Sequence, residues 1–299
     1  MKRTIYLSLP LVLLISSAPF ARSPDPVQAK AEVTHEMIGG REVRIDVLAQ
    51  GSGPVIVILP SLGRGAEDYD AVAAQLAADG FRVLRPQPRG IGRSTGPMSN
   101  LSLHDYAADV ALVIEHEHTG SVTVVGHAFG NAVARMLATD RPDLVQGLVL
   151  AAASPGKVPS GVNGPVFAPE VAEAIGKSGD LSLTDDERLR YLALAFFAPG
   201  HDPRVWLGGW YPDAMKDQNS AFASTPVDLY FAGGRAPILD LQAEYDAVAP
   251  RKFSGVLKAA LGSRVTVEVI PNAGHALVPE QPNATATSIA AFARKLGPR

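Results

Sequence analysis

The residues best placed to do chemistry form a short motif near the middle of the chain. Residues 126–130 read Gly-His-Ala-Phe-Gly and directly follow the apolar run at 122–125. Two glycines at a strand-to-helix junction permit a tight turn that exposes the middle side chain above the sheet. Here the middle residue is Ala128. Because a methyl group cannot attack an electrophile, the exposed position offers no nucleophile of its own.

The chain contains no cysteine. Thiolate nucleophiles, cysteine-ligated zinc, iron–sulfur clusters and disulfides are therefore excluded, and any covalent catalysis must use oxygen or nitrogen. Five histidines outside the motifs discussed here show no metal-ligand spacing, namely His35, His104, His116, His118 and His201. We expect no metal and no organic cofactor.

Strand-like and helix-like segments alternate along most of the chain. The predicted strands are residues 43–48, 55–59, 81–84, 122–125, 148–152, 238–242 and 265–270, and the predicted helices are residues 68–79, a segment from about 102, 129–139, 251–261 and 284–296. Continuous apolar strands that alternate with helices are typical of a parallel sheet covered on both faces. The sequence therefore predicts an α/β fold with a doubly wound, mostly parallel sheet.

The alternation stops between Ser154 and Ala236. This stretch is rich in glycine and proline and is predicted to be helical only around 184–197, where Thr184 and Glu187 have the spacing of a capping box. It contains both tryptophans and many other aromatic residues. We interpret residues 155–236 as a lid inserted between two core segments, 33–154 and 237–299; an elaborated packing layer is the alternative.

The order of the motifs resembles the α/β-hydrolase superfamily, in particular its lid-bearing ester, epoxide and peptide hydrolases. The resemblance covers residues 43–296. Besides the turn at 126–130, it rests on Leu-Pro-Ser-Leu-Gly at 59–63, Gln-Pro-Arg-Gly-Ile-Gly-Arg-Ser at 87–94, Ala-Glu-Tyr-Asp at 243–246 and Asn-Ala-Gly-His at 272–275. Gln87 stands where the family usually has aspartate.

The resemblance implies a role for four further residues. Asp246 would orient His275, and His275 would act as the base. The backbone N–H groups of Leu62 and Phe129 would form an oxyanion hole. The competing interpretation is that His275 caps a loop and Asp246 is a solvated turn residue.

Ala128 occupies the family's nucleophile position, and three explanations are open. The chain is an engineered Ser-to-Ala variant of an ordinary serine esterase, a native relative that uses His275 and Asp246 without the serine, or a noncatalytic binding protein. We expect Ala128 to be native, since the sequence carries a signal-peptide pattern at its start and no purification tag, whereas variants made for trapping normally lack the signal peptide. Ser61 and Ser154 are possible replacement nucleophiles, although turn or capping roles explain both hydroxyls.

The first residues have the pattern of a secretory signal peptide. Lys2 and Arg3 precede an apolar run at 5–15, and small residues follow at 16–18. The run is shorter than the roughly 20 residues of a membrane span, so a permanent anchor is the weaker alternative. We predict a signal peptide at 1–21, with a cut site after residue 18 or 21, and a periplasmic or secreted protein with no membrane partner after cleavage.

The composition of the chain limits the classes of molecule that the protein is expected to bind. Hydrophobic residues make up 46% of the chain and charged residues 19%, which suits a large globular core. The net charge of −3 gives no electrostatic footprint for nucleic acid. We therefore predict an exported enzyme that acts on a small or medium apolar carbonyl or ester-type substrate, with a small-molecule binding protein as the alternative. Lyase or oxygenase chemistry through the same dyad stays open.

Overall fold

An eight-stranded sheet forms the centre of the computed structural model, which describes Met1 and residues 32–159 and 166–297. The strands are β1 (Thr34–Gly39), β2 (Arg44–Gly51), β3 (Val55–Leu59), β4 (Arg82–Pro86), β5 (Val122–His127), β6 (Val145–Ala151), β7 (Ile238–Ala243) and β8 (Val265–Ile270). Their spatial order is β1-β2-β4-β3-β5-β6-β7-β8. In this order, β1 pairs with β2 and β2 pairs with β4 in antiparallel fashion. Every later pair of neighbours, from β4-β3 to β7-β8, is parallel. The predicted doubly wound, mostly parallel sheet is confirmed.

Helices cover the sheet and fill the segment between β6 and β7. They are α1 (Asp70–Ala78), α2 (Leu103–Glu117), α3 (Phe129–Asp140), α4 (Pro169–Ser178), α5 (Asp185–Ala195), α6 (Pro212–Ser224), α7 (Val227–Tyr230), α8 (Gly255–Leu261), α9 (Leu277–Glu280) and α10 (Pro282–Leu296). Within the described residues, none of these helices is long and apolar enough to cross a bilayer. The predicted leader at 1–21 lies outside the described residues, apart from Met1.

The central strands are buried on both faces because alternate side chains enter two different cores. In β3, Val57 and Leu59 join the apolar cluster under α2 and α3, whereas Ile56 and Ile58 join the cluster under α1 and α10. All five β3 residues are buried. This explains the continuous apolar run in the sequence, since a strand with two covered faces has no polar side. The sheet is thus covered on both faces, and the loops after β3, β5, β7 and β8 carry the candidate site residues.

The elements differ from the predicted ones in two places. The sequence pattern did not reveal β1, which pairs with β2 at the sheet edge and buries only Ile38 fully. The insertion is more helical than predicted, since α4, α6 and α7 accompany the predicted helix around 184–197. Pro169 and Pro212, which suggested irregular structure, stand in the first turn of α4 and α6, where a missing N–H costs nothing.

Candidate active site

The turn between β5 and α3 has the strained geometry that its glycines suggested. Ala128 has φ 48° and ψ −111°, a conformation that residues with a Cβ rarely adopt. A Cβ on Gly126 would lie 2.6 Å from Asn131 Cα, and one on Gly130 would lie 2.8 Å from Pro60 O. Glycine is therefore required at both positions, because β5, α3 and the loop after β3 meet there.

The loops after β7 and β8 bring Asp246 and His275 together. His275 Nδ1 lies 3.1 Å from both carboxylate oxygens of Asp246, and the two side chains are 4% and 1% exposed. Asp246 Oδ1 also accepts the N–H groups of Val248 and Ala249, at 2.9 and 2.7 Å. Asp246 is thus a buried and fixed carboxylate, not a solvated turn residue. A carboxylate held in this way orients the imidazole and stabilises its protonated form.

His127 lies beneath the turn and is completely buried. Its Nε2 is 2.8 Å from His275 O, and its Nδ1 is 2.7 Å from Tyr69 Oη. Because a carbonyl oxygen only accepts, Nε2 carries the proton and Nδ1 accepts from the Tyr69 hydroxyl. Burial, together with the proximity of His275, lowers the pKa of His127 to about 3, so the ring stays neutral.

Tyr69 continues this chain of hydrogen bonds to the loop after β3. The Ser61 N–H donates to Tyr69 Oη at 3.0 Å. The loop that carries Ser61 and the loop that carries His275 are therefore linked through two buried side chains, Tyr69 and His127. The sequence analysis did not identify Tyr69, since no local sequence pattern indicates that a tyrosine in a helical turn will hydrogen-bond with His127 and Ser61.

Leu62 and Phe129 keep their backbone N–H groups open. In the described residues, neither N–H finds a hydrogen-bond acceptor, although the N–H groups on both sides of Leu62 do. Ser61 N–H binds Tyr69, and Gly63 N–H donates to Gln218 Oε1 at 2.7 Å. The Leu62 N–H is thus a free donor in a loop that is fixed on either side. This is the arrangement that an oxyanion hole needs.

A cavity of about 230 Å³ connects these groups. Its lining comprises Ser61, Leu62, Ala128, Phe129, Asn131, Ala152, Ser154, Phe167, Ile175, Phe196, Trp210, Met215, Asn219, Phe222, Val248, Ala249 and His275. The residues from the insertion are mostly aromatic or aliphatic. The lining contains no Asp, Glu, Lys or Arg from the described part of the chain. The cavity therefore suits a neutral and largely apolar ligand.

The insertion is attached to the loop that contains Leu62. The Tyr211 N–H donates to Gly63 O at 3.0 Å. The buried Arg64 guanidinium lies over the rings of Trp206 and Trp210, at 4.9 and 4.7 Å from their centroids. It also makes two 2.7 Å hydrogen bonds to Asp68. Arg64 was not among the predicted site residues.

The insertion is also attached to the loop that contains His275. The Ala276 N–H donates to Phe196 O at 2.8 Å. Glu280 accepts the N–H groups of Ala198 and Gly274, each at 2.6 Å. A segment bonded to both loops holds the cavity wall in a fixed place relative to the predicted base and oxyanion donors.

The two serines considered as replacement nucleophiles both line the cavity. Ser154 Oγ accepts the Gly156 N–H at 3.3 Å, as a turn hydroxyl does. Ser61 is 4% exposed.

Among the described residues, no group of three or more histidine, aspartate or glutamate side chains could hold a metal ion.

Known proteins resemble this chain over most of its length. A family model for the alpha/beta hydrolase fold matches residues 54–282. A soluble epoxide hydrolase from Corynebacterium sp. (strain C12) is 31% identical over 135 residues, which are 45% of this chain and 47% of that protein. The chain therefore spans about half the length of that curated relative. A bifunctional esterase/perhydrolase from Acinetobacter calcoaceticus is 27% identical over 81% of this chain and 92% of its own.

Solved structures show the same fold. An esterase from Exiguobacterium antarcticum superposes with a TM-score of 0.72 at 19% identity, covering 87% of this chain and 99% of the other. The family model spans the β3 loop, the turn at Ala128 and the residues Asp246 and His275. With its sheet order and strained turn, this chain belongs to the alpha/beta hydrolase fold family.

Proposed function

We propose that this protein hydrolyses a neutral, largely apolar ester-type substrate, with a water molecule in place of the serine that Ala128 replaces. The observation that carries the proposal is the dyad: His275 Nδ1 is held by a buried, fixed Asp246 carboxylate, and His275 lines the same cavity as Ala128. The membership of the alpha/beta hydrolase fold family and the hydrolase names of its relatives support a hydrolytic reaction.

The proposed reaction begins with water beside the Ala128 methyl group. His275 Nε2 takes one proton from this water, and the water oxygen attacks the substrate carbonyl carbon. The N–H groups of Leu62 and Phe129 stabilise the negative charge on the former carbonyl oxygen. When the tetrahedral intermediate collapses, the alkoxide leaves and receives the proton from His275. The products are a carboxylic acid and an alcohol, and the enzyme returns to its starting state.

The insertion acts as a lid in this proposal. Support comes from the aromatic and aliphatic side chains that residues 166–236 contribute to the cavity. Exclusion of bulk water strengthens the interactions of the oxyanion donors. We propose further that residues 1–21 are a signal peptide and that the enzyme works in the periplasm or outside the cell; the support for this is the leader pattern of the sequence.

Two variants and one ester test the function. With p-nitrophenyl butyrate, the unaltered protein is expected to turn over without a burst, and His275→Ala is expected to lower the rate by roughly 10²–10⁴-fold, the usual contribution of a general base. Ala128→Ser is expected to release about one equivalent of nitrophenol in a burst, because serine beside the dyad forms an acyl-enzyme.

A matched control is His104→Ala. The His104 side chain is half exposed and pairs with Asp140, away from the cavity. This variant is expected to keep the full rate. Equal rates for the unaltered protein and His275→Ala would contradict the proposed base. Ligand binding without turnover in all variants would instead support a binding protein.

A further inference from the structure

Arg135 is a buried cation whose hydrogen bonds all go to backbone carbonyl groups. It stands in α3 and is 1% exposed. Its Nη2 donates to Ser154 O at 3.2 Å, and its Nη1 donates to Pro155 O at 3.3 Å and to Phe231 O at 3.4 Å. The guanidinium also lies over the Tyr230 ring, 5.0 Å from its centroid. In the described part of the chain, no carboxylate forms a salt bridge with Arg135.

The charge of Arg135 is costly in this position. Burial lowers the pKa of Arg135 to about 10, so the guanidinium stays charged at neutral pH. Asp240 interacts with it electrostatically but is itself buried, and burial raises the pKa of Asp240 to about 6. An apolar side chain of similar size would avoid the cost of burying a charge without an ion pair. What the guanidinium stabilises is therefore the three carbonyl groups, none of which accepts another hydrogen bond from the described residues.

These carbonyl groups lie at the two ends of the insertion. Ser154 and Pro155 stand where it begins after β6, and Phe231 directly follows α7, near its other end. The helix that carries Arg135 begins at Phe129, the proposed oxyanion donor. One side chain thus holds both ends of the insertion on the helix that follows the strained turn.

The wall of the cavity depends on where these ends lie. Ser154 itself lines the cavity, and the segment between the two ends supplies further lining residues from Phe167 to Phe222. Arg135 does not line the cavity. A change at Arg135 therefore reaches a bound ligand only through the residues around it. The loops of Leu62 and His275 also hold the insertion, so releasing its ends loosens the wall without detaching it.

We propose that Arg135 is a positioning residue, which keeps the cavity wall in its ligand-binding position by holding both ends of the insertion on α3. This inference rests on the proposed function, because it treats the insertion as the lid of the substrate cavity. When the ends are released, only a fraction of the molecules has the wall in place, and the apparent affinity falls by that fraction. The dyad is not affected, since Arg135 makes no hydrogen bond to it.

Hydrogen exchange and ligand binding test the proposal without any turnover. Arg135→Met keeps most of the side-chain volume and removes the donors. The amides of residues 227–233 are expected to exchange about tenfold faster in this variant, relative to those of β5. The Kd of 1-phenyl-2-pentanone, the ketone analogue of phenyl butyrate, is expected to rise about tenfold. Trp210 lines the cavity, so its fluorescence reports binding.

Steady-state kinetics separates positioning from a general loss of structure. With p-nitrophenyl butyrate, Arg135→Met is expected to raise KM about tenfold and to change kcat by less than about twofold, the pattern of lost binding without lost chemistry. A residue that only stabilises the fold would give the opposite pattern. Its loss would reduce the folded fraction, and with it the apparent kcat, at an unchanged KM.

Arg82→Met is the matched control. Arg82 makes three hydrogen bonds, two to Glu117 and one to Glu36. It stands at the start of β4, whereas the candidate site lies beyond the ends of the parallel strands. This variant also loses a guanidinium and its hydrogen bonds, and it is expected to keep the exchange ratio, the ketone Kd and the KM of the unaltered protein.

An unchanged exchange ratio, ketone Kd or KM in Arg135→Met would overturn the inference and leave the proposed function intact. Absence of ester turnover in the unaltered protein would defeat the proposed function, and the exchange and ketone measurements would still decide the inference. If the unaltered protein does not bind the ketone, the neutral cavity fails and both proposals fall together. If Arg135→Met does not fold, Arg135→Lys replaces it: lysine lacks the planar fork of the guanidinium, so the same exchange ratio is expected to rise, and an unchanged ratio overturns the inference.

Discussion

The two sides of the cavity differ in how completely their polar groups are paired. On the base side, Asp246, His275 and His127 form a buried chain in which each side chain has partners. On the turn side, the Phe129 N–H and Asn131 Oδ1 have no partner among the described residues. Apart from His275 Nε2, which the proposed mechanism assigns to water, the side chains on the base side are paired without a ligand. The turn side is not.

The strain at Ala128 is consistent with the role proposed for the turn side. A residue with a Cβ at positive φ costs roughly 1–3 kcal/mol, and such strain persists only where the surroundings impose it. An alanine gains nothing from this geometry, because its methyl group does no chemistry. The same backbone path determines where the Phe129 N–H and the first turn of α3 lie. We infer that the turn is kept for its backbone donor.

The largest change is expected when the turn itself is overfilled. In Gly126→Ala, the new Cβ would lie 2.6 Å from Asn131 Cα, a backbone atom that cannot rotate away. We expect a loss of about 3 kcal/mol or more in the free energy of unfolding, measured in urea. Gly176→Ala is the control: Gly176 lies in α4 with no atom within 4 Å of its new Cβ, so a gain of about 0.5–1 kcal/mol is expected. Similar values for both variants would show that the turn is not tightly packed.

The second prediction concerns the pH dependence of the base side. The pKa of His127 is about 3 in the folded protein, below the roughly 6.5 of an unfolded chain. Below pH 6.5, His127 therefore binds a proton in the unfolded state but not in the folded state. Stability from this residue is present above pH 6.5 and falls by about 1.4 kcal/mol per pH unit down to pH 3.

Denaturant unfolding between pH 7 and pH 4 measures this loss. Glutamine at position 127 does not titrate, so the unfolding free energy of His127→Gln should fall less steeply between pH 7 and pH 4 than that of the unaltered protein. Parallel curves for the two proteins would mean that His127 does not remain neutral in the folded state.

The elements that the sequence predicted accurately have a local cause. β3 and β8 have the bounds expected from their apolar or β-branched runs, 55–59 and 265–270. The turn at Ala128 was recognisable because close backbone contacts require glycine at two fixed positions. By contrast, β1 exposes most of its residues and offered no apolar run.

The features that the sequence did not reveal depend on contacts between distant residues. Tyr69 and His127 are 58 residues apart, and Gly63 and Gln218 are 155 apart. No local spacing encodes such pairs. Asp246 and His275 were recognisable only because a family motif places them after the last two strands. The unpaired Asn131 Oδ1 likewise depends on the folded surroundings of α3.

Tyr69→Phe interrupts the hydrogen bonds that complete the base side. The variant leaves His127 Nδ1 and the Ser61 N–H without their partner. We expect a loss of about 1–3 kcal/mol in the free energy of unfolding, because both groups stay buried. Tyr245→Phe, at a side chain that is 52% exposed, should change stability by less than about 0.5 kcal/mol. An equally small change in Tyr69→Phe would mean that water replaces the hydroxyl.

The smallest expected effect tests whether the strain on the turn side is real. Ala128→Gly relieves a φ of 48°, because glycine has no Cβ to oppose that conformation. Glycine also gains freedom in the unfolded state, which offsets part of the relief. We expect a net gain of about 1 kcal/mol in the free energy of unfolding. The same change in an ordinary helix has the opposite sign: Ala172→Gly, at an exposed position of α4, should cost about 1 kcal/mol. Equal losses of stability in both variants would mean that Ala128 is unstrained, and they would contradict a turn kept for the Phe129 N–H.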